Sequence, residues 1–315
     1  LADLSRVTEA SRVKLFRRMN MAPNATPLLV KMRGTLLSLL SEHSDLKPVD
    51  TDLKHQFVSW FNRGFLELRV IDWNSPAAVL EKIIEYEAVH EINSWDDLRA
   101  RLAPNDRQCF AFFHPLIPED PLIFVEVALT NGIPESIESV IKIDRDEIEY
   151  NKINTAVFYS ISNCQDGLAG ISFGNFLIKK VAHKLKQEIS EIDKFVTLSP
   201  VPGLMRWMEN HAPVTYENCI NKINDDENLL KKTFLYLTES NREDNLPNDP
   251  VARFHLGNGA ILHKINLHGD QSKKGMAQSH GVMINYLYDL DIVEKNHELF
   301  FKNKEVVLSG EMKSL

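Results

Sequence analysis

At Asn62-Arg63-Gly64 the hydrophobic period of this chain changes, and that change constrains the fold more than any other feature. Before it, Leu15, Phe16 and Met19, then Leu28, Leu29, Met32, Leu36, Leu37 and Leu40, recur at helical spacing. Pro23 and Pro27 lie between the two runs and predict a break between two helices. Phe57, Trp60 and Phe61 predict a third, short helix. After Gly64, Leu66 to Val70 alternates as a strand does. Ser75-Pro76 then opens a helix carrying Val79, Leu80, Ile83 and Ile84, with Ser75 expected as N-cap and Pro76 at N1. Trp95 to Leu102 reads as another short helix. Cys109 to His114 and Leu122 to Thr130 read as an antiparallel strand pair, linked by Pro115 to Pro121. Further strands are expected at 155–162, 195–198, 260–267 and 282–288, and helices at 175–190, 203–211 and 226–238. The polar stretch 239–250, with Pro247 and Pro250, reads as a loop. The chain is therefore expected to be α+β: a helical domain over residues 1–62, then a mixed α/β domain over 63–315 with at least one antiparallel section.

Composition narrows the function classes. With 315 residues, 43% of them hydrophobic, the chain can bury one large core or two smaller ones. Thirty-six basic residues stand against 44 acidic ones, a net charge of −8. That balance argues against a nucleic-acid partner, which needs a concentrated basic surface. No apolar run reaches the ~18 residues of a membrane span, so no membrane partner is expected. The start has no signal-peptide layout and no initiating Met, so residues upstream are expected to be missing. The expected compartment is the cytoplasm, with mitochondrion and peroxisome left open. Cys109, Cys164 and Cys219 are far apart, with neither a CxxC pair nor zinc spacing. They are expected to be thiols in a reducing compartment, an intersubunit disulfide remaining open. No HxH or HExxH spacing marks a metal site.

The most informative local unit runs from Tyr159 to Lys180: strand, glycine loop, helix. Gly167, Gly170 and Gly174 permit close backbone approach. The helix that follows carries Leu177, Ile178, Val181, Leu185 and Ile189 on one side, and its free amides fall near Ser172 to Asn175. Such an end attracts phosphate, with Lys179 and Lys180 one turn on. Neither a P-loop Gly-Lys-Ser/Thr nor a Rossmann GxGxxG is present. The layout resembles the loop by which acetyltransferase-like (GNAT) folds hold the pyrophosphate of CoA; Gln165-x-x-Leu168-x-Gly170 matches it in part.

Read with its neighbours, the unit becomes specific. Gly167 to Lys179 (GLAGISFGNFLIK), Leu198 to Gly203 (LSPVPG) and Phe254 to Ala260 (FHLGNGA) resemble, in order and spacing, the malonyl-CoA decarboxylase family. So do Phe16 to Asn20, Thr26 to Arg33, Glu87 to His90, and Gly281 to Tyr288. The resemblance covers roughly residues 10 to 290. It implies an N-terminal helical domain involved in assembly, a GNAT-like catalytic domain and a homo-oligomer, dimer or tetramer. It also implies conversion of malonyl-CoA to acetyl-CoA and CO2 without a cofactor. By motif it points to Ser199 and His255 as the catalytic pair, with Tyr288 supporting them. It makes Ala169, Gly170, Ile171, Ser172, Phe173, Gly174 and Asn175 the CoA-binding loop.

The chemistry explains why such residues suffice. Cleaving the C–C bond leaves a thioester enolate, so the thioester is its own electron sink. The protein must hold CoA, orient the carboxylate and supply one proton. Ser199 is expected to orient the carboxylate, on a loop stiffened by Pro200 and Pro202. His255 is expected to protonate the α-carbon, a role suited to an intrinsic pKa of ~6.5. Arg253, Asn258 and Asp270 are expected around them. Taken singly, a serine before proline is a turn residue, and a histidine between Phe254 and Leu256 or a tyrosine on a strand is a core residue. Two other functions stay open on the same fold: a CoA-dependent N-acyltransferase, and an acyl-CoA sensor without turnover.

Overall fold

The structure is a computed structural model that describes residues 11–315, apart from Ser172, Ser240, Asn241 and the side chain of Asn175. The first helices are α1 (Ser11–Met19), α2 (Ala25–Leu39) and α3 (Lys47–Trp60). Each buries one stripe: Val13 and Phe16; Leu29, Val30, Arg33 and Leu36; Leu53, Gln56 and Phe57. Pro27 does not separate helices. It lies in the first turn of α2, where its missing N–H has no intrahelical partner to lose. The third helix is longer than its apolar residues show, 14 residues opening at Lys47-Pro48. Ser75 does not cap α4 (Ala77–Tyr86); its Oγ instead accepts from the Asp72 amide at 3.1 Å, and Pro76 occupies the cap position. α5 (Trp95–Leu102) starts where expected, with Ser94 accepting from the Asp97 amide at 3.1 Å.

The strands are β1 (Glu67–Ile71), β2 (Arg107–Phe113), β3 (Ile123–Thr130), β4 (Thr155–Asn163), β5 (Lys194–Thr197), β6 (Ser199–Pro200), β7 (Ile261–Asn266) and β8 (Met283–Leu287). Their order in the sheet is β1-β2-β3-β4-β5-β8-β6, with β7 also on β8. The remaining helices are α6 (Glu138–Ile141), α7 (Gly174–Glu188), α8 (Leu204–His211), α9 (Pro213–Ile220), α10 (Asp226–Thr238), α11 (Pro250–Gly257), α12 (Lys273–Ser279) and α13 (Val293–Asn303). The sheet contains the expected antiparallel section and also a parallel pair.

Contacts group the chain into two compact units. In the first (residues to 91, 109–125 and 161–177), β1 runs antiparallel to β2, with Glu67 opposite Phe113 and Ile71 opposite Cys109. Within it α1 packs on α3, and α2 packs on the turn at Asp166–Leu168. In the second (92–108, 126–160 and 178–315), β4 pairs parallel with β5. There β8 is the antiparallel neighbour of β5, β6 and β7. Its core joins Ala128, Val140, Val157, Tyr159, Val196, Leu198 and Met283.

Cys109, Cys164 and Cys219 are buried, and none is in a disulfide. Among the described residues, no three His, Cys, Asp or Glu side chains are placed to hold a metal, and no helix is long and apolar enough to cross a membrane.

Candidate active site

The strands and one helix of the second unit converge on Ser199. β5 ends at Thr197, and Leu198 leads into β6, where Ser199 pairs with Ile284 and Pro200 with Met283 of β8. The segment is thus held by strand pairing rather than by a proline-stiffened loop. Residues two apart on an extended chain face the same side, so Thr197 and Ser199 share a side. Their hydroxyls meet, Ser199 Oγ donating to Thr197 Oγ1 at 2.9 Å. The Tyr286 amide in turn donates to Thr197 Oγ1 at 3.2 Å.

His255 comes from α11. Asp249 caps that helix, its Oδ1 accepting from the amides of Val251 and Ala252, both at 2.9 Å. Pro250 sits in the first turn. His255 Nε2 lies 3.1 Å from Ser199 Oγ, and Nδ1 lies 2.9 Å from the hydroxyl of Tyr288. Both ring nitrogens are engaged, which sets the plane of the ring. Tyr286 stacks against the imidazole, centroids 4.8 Å apart and planes 23° apart. Tyr288 stands one residue past β8, its amide donating to the Phe195 carbonyl at 2.8 Å. The outcome is a buried row: Tyr288, His255, Ser199, Thr197.

Burial sets the charge of this row. His255 is 3% exposed, and loss of hydration pulls its pKa down to about 3. The expectation of an ordinary imidazole pKa is therefore corrected: the resting ring is neutral. Burial likewise pushes Tyr286 and Tyr288 up, so both phenols keep their protons. The Tyr286 hydroxyl is fully buried and has no hydrogen-bond partner among the described residues.

Residues expected around the pair have varied places. Arg253 donates to the carbonyls of Pro247 (2.7 Å) and Asn248 (2.6 Å), holding the turn before α11. Asn258 is buried directly after α11, with its side chain beside Tyr288. Asp270 accepts from the Ser272 amide at 2.9 Å. Thr197 and Tyr286 were missed in the sequence. The available signal was the two-residue spacing, Thr197 to Ser199 and Tyr286 to Tyr288, on strands already recognised.

In the first unit, Ala169, Gly170 and Ile171 form an outward turn after β4, and Phe173 and Gly174 lead into α7. Gly170 has φ of +77°, a conformation that favours glycine. A cleft of about 230 Å³ lies along this turn, lined by Leu168, Ala169, Gly170, Ile171 and Phe173 among others. Ser172 and the Asn175 side chain lie outside the described residues. Of Lys179 and Lys180 on α7, Lys179 is bound to Glu294 at 2.6 Å.

Residues 1–61 match the malonyl-CoA decarboxylase N-terminal domain, and residues 64–315 the malonyl-CoA decarboxylase C-terminal domain. The chain belongs to the malonyl-CoA decarboxylase family. The mitochondrial malonyl-CoA decarboxylase of Anser anser anser is 34% identical over 348 residues, covering 95% of this chain and 68% of that protein. The crystal structure of malonyl-CoA decarboxylase from Rhodopseudomonas palustris superposes with a TM-score of 0.93 at 46% identity, over 100% of this chain and 82% of that one. The Agrobacterium vitis malonyl-CoA decarboxylase structure gives 0.89 at 49% identity, over 99% and 81%. Decarboxylation makes the members of this family carbon–carbon lyases.

Proposed function

We propose that this chain decarboxylates malonyl-CoA to acetyl-CoA and CO2 at the row Tyr288–His255–Ser199–Thr197. The observation that carries the reading is the pair of contacts on one buried imidazole, 3.1 Å to Ser199 and 2.9 Å to Tyr288. Ser199, turning from Thr197, donates to the malonyl carboxylate and holds its C–C bond across the thioester plane. The arriving carboxylate supplies the negative charge that burial withholds, and so raises the pKa of His255. The ring takes up a proton from solvent on binding. CO2 then leaves as a neutral molecule, and the electron pair of the broken bond enters the thioester as an enolate. The imidazolium returns its proton to the α-carbon, and acetyl-CoA and a neutral histidine remain. Tyr288 fixes the ring through Nδ1 throughout. No step in this scheme requires a metal or an organic cofactor.

The loop Ala169 to Asn175 takes the phosphates of CoA in this reading. Support comes from the positive φ of Gly170, the cleft along the turn and the start of α7 at Gly174. The acetyltransferase-like reading of residues 63–315 is supported by that turn between β4 and α7 and by the parallel β4–β5 pair. Residues 1–62 act as an assembly domain of a dimer or tetramer, and the cytoplasm is the working compartment.

The test is turnover of malonyl-CoA by purified, chelator-treated protein, with CO2 and acetyl-CoA both quantified. His255→Asn and Ser199→Ala should each lower kcat by about 10²–10⁴. Near-native kcat in either variant overturns its assignment. CoA release that needs an added amine would point to an acyltransferase, and binding without turnover to a sensor.

A further inference from the structure

The turn that follows β4 is built onto the N-terminal helices by one buried cation. Arg33, in the middle of α2, is 2% exposed. Its Nη1 donates to the carbonyl oxygens of Gly167 at 2.7 Å and Ala169 at 3.0 Å. Its Nε donates to Asp50 Oδ1 at 2.7 Å, and Phe57 lies beneath the guanidinium, 6.0 Å to the ring centroid. The turn sits directly on the helix: a Cβ at Gly167 would stand 1.8 Å from the Val30 carbonyl oxygen. One guanidinium fork holding two carbonyls and a carboxylate is a geometry that lysine cannot reproduce.

The consequence is directional. The carbonyls of 167 and 169 turn onto Arg33, and the amides of Leu168, Ala169 and Ile171 donate to the carbonyls of Gln165, Asp166 and Leu168, which leaves the Gly170 amide for a ligand. The Gly170 amide has no acceptor among the described residues, and the cleft of about 230 Å³ runs along that edge. Lys54 of α3 leans over Gly170, with Nζ 2.9 Å from where a Cβ would be.

We infer that Arg33 is a positioning residue for acyl-CoA: it holds the 167–170 turn so that the Gly170 amide meets the phosphates of CoA, with Lys54 the adjacent cation. The inference rests on the reading of 169–175 as the CoA loop. The helical segment is then part of the substrate site and not an assembly element alone. Contacts at the phosphate end that are equal in the ground and transition states set KM and leave kcat alone.

The experiment compares malonyl-CoA with malonyl-pantetheine, which has the reacting end and lacks the phosphates. In Arg33→Lys, KM for malonyl-CoA should rise by about tenfold, as expected for losing a charged hydrogen bond, with kcat essentially unchanged. Kinetics on malonyl-pantetheine should stay at wild-type values, which a loss of general structure would not spare. A wild-type KM, or an equal loss on both substrates, overturns the inference. Gly34→Leu is the second variant, because it presses on the turn while keeping the buried charge. A Cβ at Gly34 already lies 3.5 Å from the Gly167 nitrogen. It should show the same split, and wild-type kinetics there also overturn the inference. If the wild-type enzyme uses both substrates equally well, the CoA-loop reading itself fails. If it prefers malonyl-CoA and Gly170→Val erases that preference while Arg33→Lys does not, only the role of Arg33 fails.

Discussion

His255 shows how burial decides what a residue type can do. In solution an imidazole titrates near pH ~6.5; here the absence of water holds it neutral down to about pH 3. The folded pKa lies below the unfolded one. Between the two values the unfolded chain binds a proton that the folded chain does not. Stability is therefore complete above pH ~6.5 and falls with pH by about 1.4 kcal/mol per unit below it. Urea unfolding of wild type and His255→Gln, compared from neutral pH to about pH 4.5, should show the wild type losing ground as the pH drops. Parallel curves would mean that the ring is not desolvated. Tyr288 bears on the same ring from the other side. Tyr288→Phe removes the 2.9 Å contact to Nδ1 and should lower kcat by about tenfold or more while KM changes little. Unaltered kcat would remove Tyr288 from the row. The sequence singled out Ser199, His255 and Tyr288 through their motifs. It did not reveal the depressed pKa, because desolvation comes from residues distant in the chain.

At the scale of elements, α11 matters most, because it aims His255. It is eight residues long and opens at Asp249-Pro250. No helix was expected there, because Pro250 was read as closing the 239–250 loop and Phe254 to Ala260 as a motif. Nor was α9, also of eight residues, expected. By contrast α10, with its longer run, was read from the sequence at 226–238, where the structure has it. The cap is the point to test. Asp249→Ala removes two 2.9 Å contacts from the first turn of α11. It should cost about 1–2 kcal/mol in stability and lower kcat, since the helix then no longer directs the imidazole. Thermal unfolding and steady-state kinetics on one preparation check both, and a stable variant with full activity would separate the cap from the site.

For the whole molecule, the open question is assembly. On the N-terminal helices Leu28 is 66% exposed, which makes it a position at which the assembly proposal can be tested. Light scattering should give the mass of a dimer or tetramer, and Leu28→Lys should shift it toward the monomer. A wild-type monomer would sink the assembly reading of residues 1–62.

The alternation of periods, the glycine turn before a helix and a set of motifs in order were local properties. From them the sequence alone determined the α+β class, most of the strands and the family. Tertiary structure decided everything that depends on which segments meet. It paired Ser199 with Ile284 of β8 in a two-residue strand and brought His255 to its hydroxyl. It stacked Tyr286 on His255 and brought Arg33 onto the carbonyls of Gly167 and Ala169. The physical reason is the range of the forces: hydrophobic period and turn chemistry act within a few residues, whereas desolvation and hydrogen bonding act on whatever packing brings near.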